Sequence, residues 1–412
     1  MLLWYRFKNF FSFQEETKVS FTLKKNSPET YYDVEFEKER VTKVLVVMGA
    51  NGAGKSNLLK PLAFIHWICT SAFKDLSKNE RLPFFSYMMK EDKVSEIEVS
   101  FMNRDPNNIN FYFKYFIQFN QNKILHEELK VKRADNRQYL SCFYRKLKGD
   151  KQEIKINEDA IEKIVNERSL LEKSEMETIP ANATVLSYYY RKSNKLASYI
   201  VESMSFHSNL NIYGKNYFNT GSIIETAKRY SENAEIFSQA INYIKKMDFG
   251  LDGVKLRIGE RINEENGEKD KIIIPFGTHT NNEDNFELPF MLESAGTQKF
   301  FTLIYYLLVS LNKGGVAVID ELDGDLHPIM VSEILNMFKD DEINKNHAQL
   351  IFSCHTPEVL NNLKKHNVYL VEKSDCESTA WRMDDIQGLR SQDNLYNKYI
   401  TGALGGIPDI CI

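Results

Sequence analysis

The chain has 412 residues, of which 42% are hydrophobic and 27% are charged, and its formal net charge is −4 at pH 7. Such proportions are typical of a soluble globular protein with one large domain or two to three modest ones. The small negative charge excludes a whole-molecule attraction to polyanions, so any contact with DNA or RNA must come from a local basic surface.

Cysteine usage and apolar runs favour a cytoplasmic protein without a membrane segment. The five cysteines are scattered and lack the close pair that zinc sites favour, so we expect reduced thiols. Residues 1–8 lack the uninterrupted apolar core of a signal peptide, and the longest apolar stretch, residues 300–311, is too short to span a bilayer.

The first part of the chain is predicted to be rich in strands. Residues 2–7 and 18–23 read as an edge hairpin that feeds a buried central strand at residues 44–48. Residues 95–156 follow with four alternating segments and polar turns, one of them at residues 105–108, which predicts an antiparallel sheet. We place this N-terminal lobe at residues 1–156.

The remainder divides into a helical insertion, residues 157–250, and a C-terminal lobe, residues 251–412. A second hairpin, with strands at residues 253–262 and 271–275 and a charged turn at 263–268, precedes a short segment at 286–290 and a long helix from Thr297. Strands and helices then alternate, which predicts a parallel sheet with crossover helices. The predicted pieces of this alternation are residues 316–319, 328–338, 349–352, 357–364 and 368–372.

A glycine-rich loop between the predicted central strand and a helix matches the full phosphate-loop pattern. In this pattern backbone N–H groups converge on a phosphate, Lys55 neutralises the β and γ oxygens, and the Ser56 hydroxyl reaches Mg²⁺. The alternative is a chance glycine-rich turn. The predicted ATP-binding residues here are Gly49, Ala50, Asn51, Gly52, Ala53, Gly54, Lys55, Ser56 and Asn57.

Two carboxylates follow the apolar run at residues 316–319, which places Asp320 at the carboxyl end of a buried strand. Asp320 is predicted to hold Mg²⁺ through water, and Glu321 to orient and deprotonate the attacking water. The structural alternative is that both acids begin a turn.

His355 follows another apolar strand, where its imidazole is predicted to contact the γ-phosphate; a structural or solvated histidine is the alternative. The adjacent Cys354 is rejected as a nucleophile, because nothing marks it as exposed or activated.

A further short pattern, Ser294-Ala295-Gly296-Thr297, lies just before the long helix, 26 residues ahead of Asp320. Taken alone it is a common helix cap. Its position makes a second interpretation possible, in which the Ser294 hydroxyl and the N–H groups near Gly296 clamp a γ-phosphate.

Together these motifs resemble those of ABC-type ATPases of the recombination and chromosome-maintenance branch. Within it, the chain resembles the bacterial AAA-family ATPases of abortive-infection and other anti-phage modules, relatives of the overcoming-lysogenization-defect proteins. The residues that carry the resemblance are 6–13, the phosphate loop, 294–297, 319–328, 353–356 and 399–408.

The resemblance implies an α/β fold: an ABC-ATPase-like head with a mixed central sheet, an antiparallel β subdomain and a helical insertion. It also implies a homodimer or higher homo-oligomer that sandwiches ATP, in which Ser294 and Gly296 act on the nucleotide of the other protomer. Asp325, Leu326 and His327 would then form a loop at the dimer interface. The chain departs from transporters at Thr297, where they carry glutamine, and no glutamine that couples ATP to the rest of the protein can be assigned.

The acids Asp323 and Asp325 also suit a metal nuclease, but such acids need a further carboxylate and their own fold. Only 57 residues follow His355, too few for the nuclease domain of full overcoming-lysogenization-defect proteins. We therefore expect an ATP-hydrolysing sensor that controls a separate effector, a nuclease or toxin, in a defence module.

Two other functions remain open. A basic cluster interleaved with Tyr139, Phe143 and Tyr144 suits nucleic acid and would favour a DNA-repair or chromosome-maintenance ATPase, although a solvated strand face explains it equally. A non-hydrolysing scaffold that uses ATP only as glue is the third hypothesis. The basic residues of the cluster are Lys130, Lys132, Arg133, Arg137, Arg145, Lys146 and Lys148.

Overall fold

The computed structural model describes residues 1–36, 39–77, 80–90, 93–104, 109–149, 151–211, 220–247, 249–262, 269–281 and 284–408. The predicted turns at 105–108 and 263–268, and Cys411, lie outside these residues.

The strands are β1 Leu2–Lys8, β2 Thr17–Ser20, β3 Asp33–Phe36, β4 Glu39–Thr42, β5 Val44–Gly49, β6 Ser95–Arg104, β7 Asn110–Phe119, β8 Ile124–Arg133, β9 Leu140–Lys148, β10 Lys151–Ile156, β11 Phe206–Ser208, β12 Gly253–Ile262, β13 Lys269–Thr280, β14 Asn285–Pro289, β15 Val316–Ile319, β16 Gln349–Ser353, β17 Val368–Ser374 and β18 Glu377–Arg382. The α-helices are α1 Lys55–Thr70, α2 Ala72–Asp75, α3 Glu158–Val165, α4 Lys173–Thr178, α5 Val185–Arg191, α6 Lys195–Met204, α7 Thr220–Glu232, α8 Ala234–Lys246, α9 Ala295–Lys313, α10 Pro328–Lys339 and α11 Leu395–Ile400.

A six-stranded sheet in the order β11-β15-β16-β5-β17-β18 forms the centre of the molecule. All neighbours are parallel except β18, which pairs antiparallel with β17. Every residue of β5 is buried, because the sheet is covered on both faces. Its alternate side chains enter two separate hydrophobic cores: Leu45 and Val47 join α1, whereas Val44 and Val46 join α9 and α10. The predicted mixed central sheet is therefore confirmed.

The second large sheet is antiparallel and has seven strands in the order β10-β9-β8-β7-β6-β1-β2. The sequence predicted four of these strands between residues 95 and 156, and the structure adds β10. It also places β1 and β2 here instead of beside β5, because the inward side chains of β1 match the register of β6. Tyr5 faces Val99, and Phe7 faces Ile97, with all four side chains in the first core.

The segment predicted as a helical insertion contains helices α3 to α8, but it also contributes a strand to the central sheet. β11 pairs in parallel with β15, and the N–H of Val316 donates to the carbonyl of Ser205 at 2.9 Å. A strand of three residues is too short for an alternating pattern to reveal it. The long helix α9 begins at Ala295, two residues before the predicted start.

The predicted helix at residues 357–364 is wrong, because the chain forms only a 3₁₀ turn at Pro357–Asn361 there. Asn361 and Asn362 disfavour a continued helix, since their side chains compete for backbone hydrogen bonds. None of the described helices combines the length and apolar character needed to cross a lipid bilayer.

Candidate nucleotide-binding site

The glycine-rich loop joins β5 to α1 and packs closely on the strands beside it. A Cβ atom on Gly49 would lie 2.3 Å from the carbonyl oxygen of Val371 in β17. One on Gly54, whose φ is +115°, would lie 2.4 Å from the Ser378 hydroxyl in β18. Side chains at either position would push the loop off the sheet, so the glycines keep the backbone close to its supports. Gly52 has no atom within 4 Å of such a Cβ and faces open space.

Two serines, Ser12 and Ser378, support the loop from behind. Ser12 lies in the 6–13 segment that carries the resemblance, whereas no sequence pattern marks Ser378. The Ser378 hydroxyl donates to the carbonyl of Ala53 at 2.6 Å and lies 2.7 Å from the Ser12 hydroxyl. Ser12 in turn accepts a hydrogen bond from Asn57 Nδ2 at 2.9 Å. The structure thus places the side chain of Asn57 on this brace.

Lys55 is buried at the start of α1 and folds over the loop. Its Nζ donates to the carbonyls of Gly49 and Ala50 at 2.9 and 3.0 Å. Burial lowers the pKa of Lys55, although the nearby carboxylates of Asp320 and Glu321 oppose this shift. A partly desolvated ammonium group held against a loop of backbone N–H groups is well suited to phosphate oxygens.

Ser56 and Asp320 meet across the central sheet. The Ser56 hydroxyl donates to Asp320 Oδ2 at 2.8 Å, and the Ser353 hydroxyl, from the intervening strand β16, donates to Oδ1 at 2.5 Å. Asp320 is 1% exposed. Mg²⁺ prefers oxygen ligands and commonly uses one or two protein groups plus phosphate oxygens. The hydroxyl of Ser56 and the carboxylate of Asp320 fit this requirement.

The backbone around Glu321 is held on several sides. Glu321 has a φ of +47°, which is uncommon for a residue with a side chain. Its N–H donates to the Ser353 hydroxyl at 2.7 Å, and its carbonyl accepts from Lys299 Nζ at 2.8 Å. Asn209 holds the preceding residue, accepting from the N–H of Asp320 at 2.8 Å and donating to its carbonyl at 3.0 Å.

Asp323 supports the segment that carries His355. Its Oδ2 accepts from the N–H groups of His355 and Thr356 at 2.9 and 2.8 Å, and from the Thr356 hydroxyl at 2.7 Å. Burial alone would raise the pKa of Asp323, but these hydrogen bonds lower it below its usual value. The His355 side chain is exposed at the carboxyl end of β16. Asp323 is therefore engaged in structure, which disfavours the nuclease alternative; in the described part of the chain no cluster of three metal-ligating side chains occurs.

Ser294 caps α9, and Gly296 packs against the loop after β15. The Ser294 hydroxyl accepts from the N–H of Thr297 at 3.2 Å and is exposed. A Cβ atom on Gly296 would lie 2.6 Å from the carbonyl oxygen of Asp325. Within one chain Ser294 therefore acts as a helix cap. The 294–297 segment lies next to the 325–327 segment.

The carboxyl ends of β5, β16 and β15 bring together the phosphate loop, His355 and the two acids Asp320 and Glu321. Sequence reasoning missed Ser353, Asn209 and Lys299. Of these only Ser353 carried a signal, since it lies in the 353–356 segment at a strand's carboxyl end.

The predicted basic cluster is largely neutralised. Arg145 is only 4% exposed and pairs with the buried Glu127, so it belongs to the core and not to a solvated face. The structure pairs three other members with nearby acids: Lys130 with Glu128, Arg133 with Asp135, and Lys148 with Glu153.

The four cysteines within the described residues are free thiols, and burial raises the pKa of Cys354, which disfavours it as a nucleophile.

The family model described as "AAA domain, putative AbiEii toxin, Type IV TA system" matches residues 44–361. The chain belongs to this family, and the expected relation to AAA-family ATPases of abortive infection is confirmed. No curated protein matches the sequence.

Solved structures similar to this chain include two SMC head domains. One, from Thermotoga maritima, is 13% identical with a TM-score of 0.40 and covers 92% of this chain and 98% of its own. The other, derived from Pyrococcus yayanosii with a coiled coil and joint, is 11% identical with a TM-score of 0.44 and covers 98% of this chain and 99% of its own. Independently of these, the strand order and the loop geometry describe an ABC-ATPase-like head.

Proposed function

We propose that the protein binds ATP and Mg²⁺, forms a dimer around the nucleotide, hydrolyses it, and through this cycle controls a separate effector of an anti-phage defence module in the cytoplasm. The observation that carries the proposal is the hydrogen-bonded bridge from Ser56 through Asp320 to Ser353. It joins the phosphate loop to the second acidic motif across three strands, which is the arrangement that a phosphate and its metal ion require.

In the proposed reaction, Lys55 and the loop N–H groups bind the β and γ phosphates. Ser56 and Asp320 would hold Mg²⁺, which when bound would supply positive charge to neutralise the phosphates. Glu321 orients the attacking water and accepts its proton, and His355 contacts the γ-phosphate. The backbone contacts made by Ser353 and Lys299 hold Glu321 in position, so the site does not have to reorganise when the reaction occurs.

We propose that the second half of the site comes from another copy of the chain. Ser294 and Asp325 are both exposed, and their segments approach each other at Gly296. Two large apolar side chains lie exposed nearby in sequence, Leu292 at 67% and Ile329 at 66%. Together with His327 these exposed residues form what we call the signature face. Exposed apolar residues beside an exposed helix N-terminus suit a surface that becomes buried when a partner docks.

The proposal that a separate effector exists takes its support from the family to which the chain belongs. Its description applies the words "putative AbiEii toxin" and "Type IV TA system" to the AAA domain itself, which supports a toxin–antitoxin setting without naming an effector. We infer that this ATPase acts with a nuclease or toxin whose activity depends on the nucleotide state of the dimer.

Sedimentation of the full chain tests the ATP-dependent dimer. Glu321→Gln should retain ATP and accumulate as a dimer when ATP and Mg²⁺ are present. Glu321→Gln combined with Lys55→Ala should sediment as the nucleotide-free protein does, even when ATP is added. Hydrolysis by Lys55→Ala or Glu321→Gln at the parental rate would contradict the proposed roles. Dimers that form equally without nucleotide would contradict the switch.

A second candidate function, direct action on nucleic acid, is favoured by one observation on the outer face of the antiparallel sheet. Three lysines alternate with three aromatic rings in a continuous row, each ammonium group 4.6 to 5.4 Å from its neighbouring ring centroids. Within the described residues these lysines have no ion pair with a carboxylate. The row runs Lys18, Trp4, Lys114, Tyr139, Lys132 and Tyr112.

Salt-dependent binding of a labelled single strand tests this candidate. Charge reversal of Lys114 and Lys132 should abolish binding and its salt dependence. Lys130→Glu is the matched control, because Lys130 already pairs with Glu128 on the same face. No binding by the parent, or equal loss with the control, would reject nucleic acid and leave an acidic protein as the partner to test.

A further inference from the structure

His279, near the end of β13, connects the three-stranded sheet β12-β13-β14 to the turn that carries Ser294. Its Nδ1 lies 2.9 Å from the carbonyl oxygen of Gly250, and its Nε2 lies 2.9 Å from Glu293 Oε1. Both partners are acceptors. One ring nitrogen of His279 thus faces each segment, and the side chain links the two segments in what we call the clamp.

The clamp is enclosed by its own sheet. The ring of Phe286, from β14, stacks on the His279 ring with centroids 4.8 Å apart and planes 9° from parallel. A Cβ atom on Gly277 would lie 2.3 Å from Glu293 Oε1, so the sheet backbone fits closely against that carboxylate. The side chains of His279 and Glu293 are 19% and 7% exposed, which strengthens their attraction relative to a surface pair.

Glu293 immediately precedes Ser294, so its position sets that of the α9 N-terminus. On the other side of the turn, Gln298 Nε2 donates to the carbonyls of Glu293 and Met291 at 2.8 and 3.0 Å. The turn is therefore fixed by the helix from one side and by the β-sheet from the other. His279 provides the sheet's hold on Glu293.

We propose that His279 is a positioning residue for the reaction. It holds Glu293 and thereby sets the place at which Ser294 and the first N–H groups of α9 meet a nucleotide bound by the other protomer. This inference rests on the proposed function. A movement of the three-stranded sheet would shift the same turn, so the sheet becomes an element through which a partner could adjust ATP hydrolysis.

The test separates nucleotide binding from turnover. His279→Ala should bind ATP with the parental Kd, because the phosphate loop is untouched, while kcat falls about 10- to 100-fold through misplacement of the turn. Glu293→Ala should show the same split, and the double variant should be no worse than either single one, because both remove one clamp. Lys255→Ala is the matched control, since it removes the Lys255–Glu287 ion pair of the same sheet and should keep the parental kcat.

Ser294→Ala, measured in the same assay, distinguishes failure of the proposed two-protomer site from failure of the positioning role of His279. If Ser294→Ala keeps the parental kcat, the proposed two-protomer site fails. If Ser294→Ala is slow but folded His279→Ala and Glu293→Ala both turn over at the parental rate, the positioning role alone is overturned. Should His279→Ala not fold, the comparison of Glu293→Ala with Lys255→Ala decides, and additive losses in the double variant count against the clamp.

Discussion

The hydroxyl of Ser353 lies 2.5 Å from Asp320 Oδ1 and 2.7 Å from the N–H of Glu321, so one side chain holds both acids of the second motif. Ser353 ends β16, the strand between the one that ends in the phosphate loop and the one that ends in these acids. The relative position of the two motifs therefore depends on a residue that belongs to neither.

We predict that Ser353→Ala lowers kcat for ATP hydrolysis by about 10- to 100-fold, the usual cost of losing a group that orients a metal ligand. ATP binding should weaken less, because Lys55 and the loop remain. Steady-state turnover and a separate nucleotide titration measure the two effects. Ser332→Ala, on α10, is a control of the same chemistry outside the site, and equal turnover in both variants would contradict the role given to Ser353.

Breaking the buried pair of Arg145 and Glu127 should destabilise the antiparallel sheet strongly. Arg145 Nη2 also donates to the carbonyl of Ala183 at 2.6 Å, and Glu127 accepts from the N–H of Val185 at 2.7 Å. Arg145→Met leaves an uncompensated buried carboxylate and should lower the free energy of unfolding by about 3–5 kcal/mol.

Urea denaturation measures this change. Lys130→Met breaks an exposed pair with Glu128 on the same strand and should cost at most about 1 kcal/mol. Similar losses in the two variants would show that burial does not set the strength of the Arg145 pair.

His366 should make the protein less stable in mild acid. The residue is fully buried, and burial lowers the pKa of His366 from its usual 6.5 to about 4. Between these values the unfolded chain binds a proton that the folded chain does not, so stability falls as pH falls from about 6.5 to 4. The contribution of this one residue is about 3 kcal/mol.

Unfolding curves at several pH values test the sign and the window. His366→Gln should lose about 3 kcal/mol less than the parent between pH 6.5 and 4. The half-buried His207, whose pKa desolvation also lowers to about 4, remains in both proteins and keeps some acid sensitivity. Parallel curves for parent and variant would contradict the assignment to His366.

The sequence predicted those features that are written locally. The strand β5 and its glycine loop could be found because a buried apolar run and a loop with defined spacing are adjacent in the chain. Asp320 could be placed because four apolar residues end directly before it. The dependence on Ser353, Asn209 and Lys299 could not be predicted, since it arises from strand order and from contacts between residues far apart in sequence.

The sequence also misleads where contacts between distant residues determine whether a side chain is buried or which sheet a strand joins. Arg145 looks like a member of a basic surface in the sequence, but alternation across a bulge between β8 and β9 turns it inward toward Glu127. β1 and β2 could not be assigned to the antiparallel sheet, because only their pairing with β6 distinguishes that sheet from the central one.

In the proposed dimer each ATP is held by the loop of one protomer and the signature face of another. Mixing two inactive variants tests it most directly: Lys55→Ala keeps Ser294 but lacks the lysine, and Ser294→Arg keeps the lysine but blocks the signature face. A mixed dimer contains one site with both halves intact, so we expect ATP hydrolysis to reappear on mixing and to rise with the fraction of mixed dimer. A mixture as inactive as its two components, at concentrations where mixed dimers are shown to form, would contradict it.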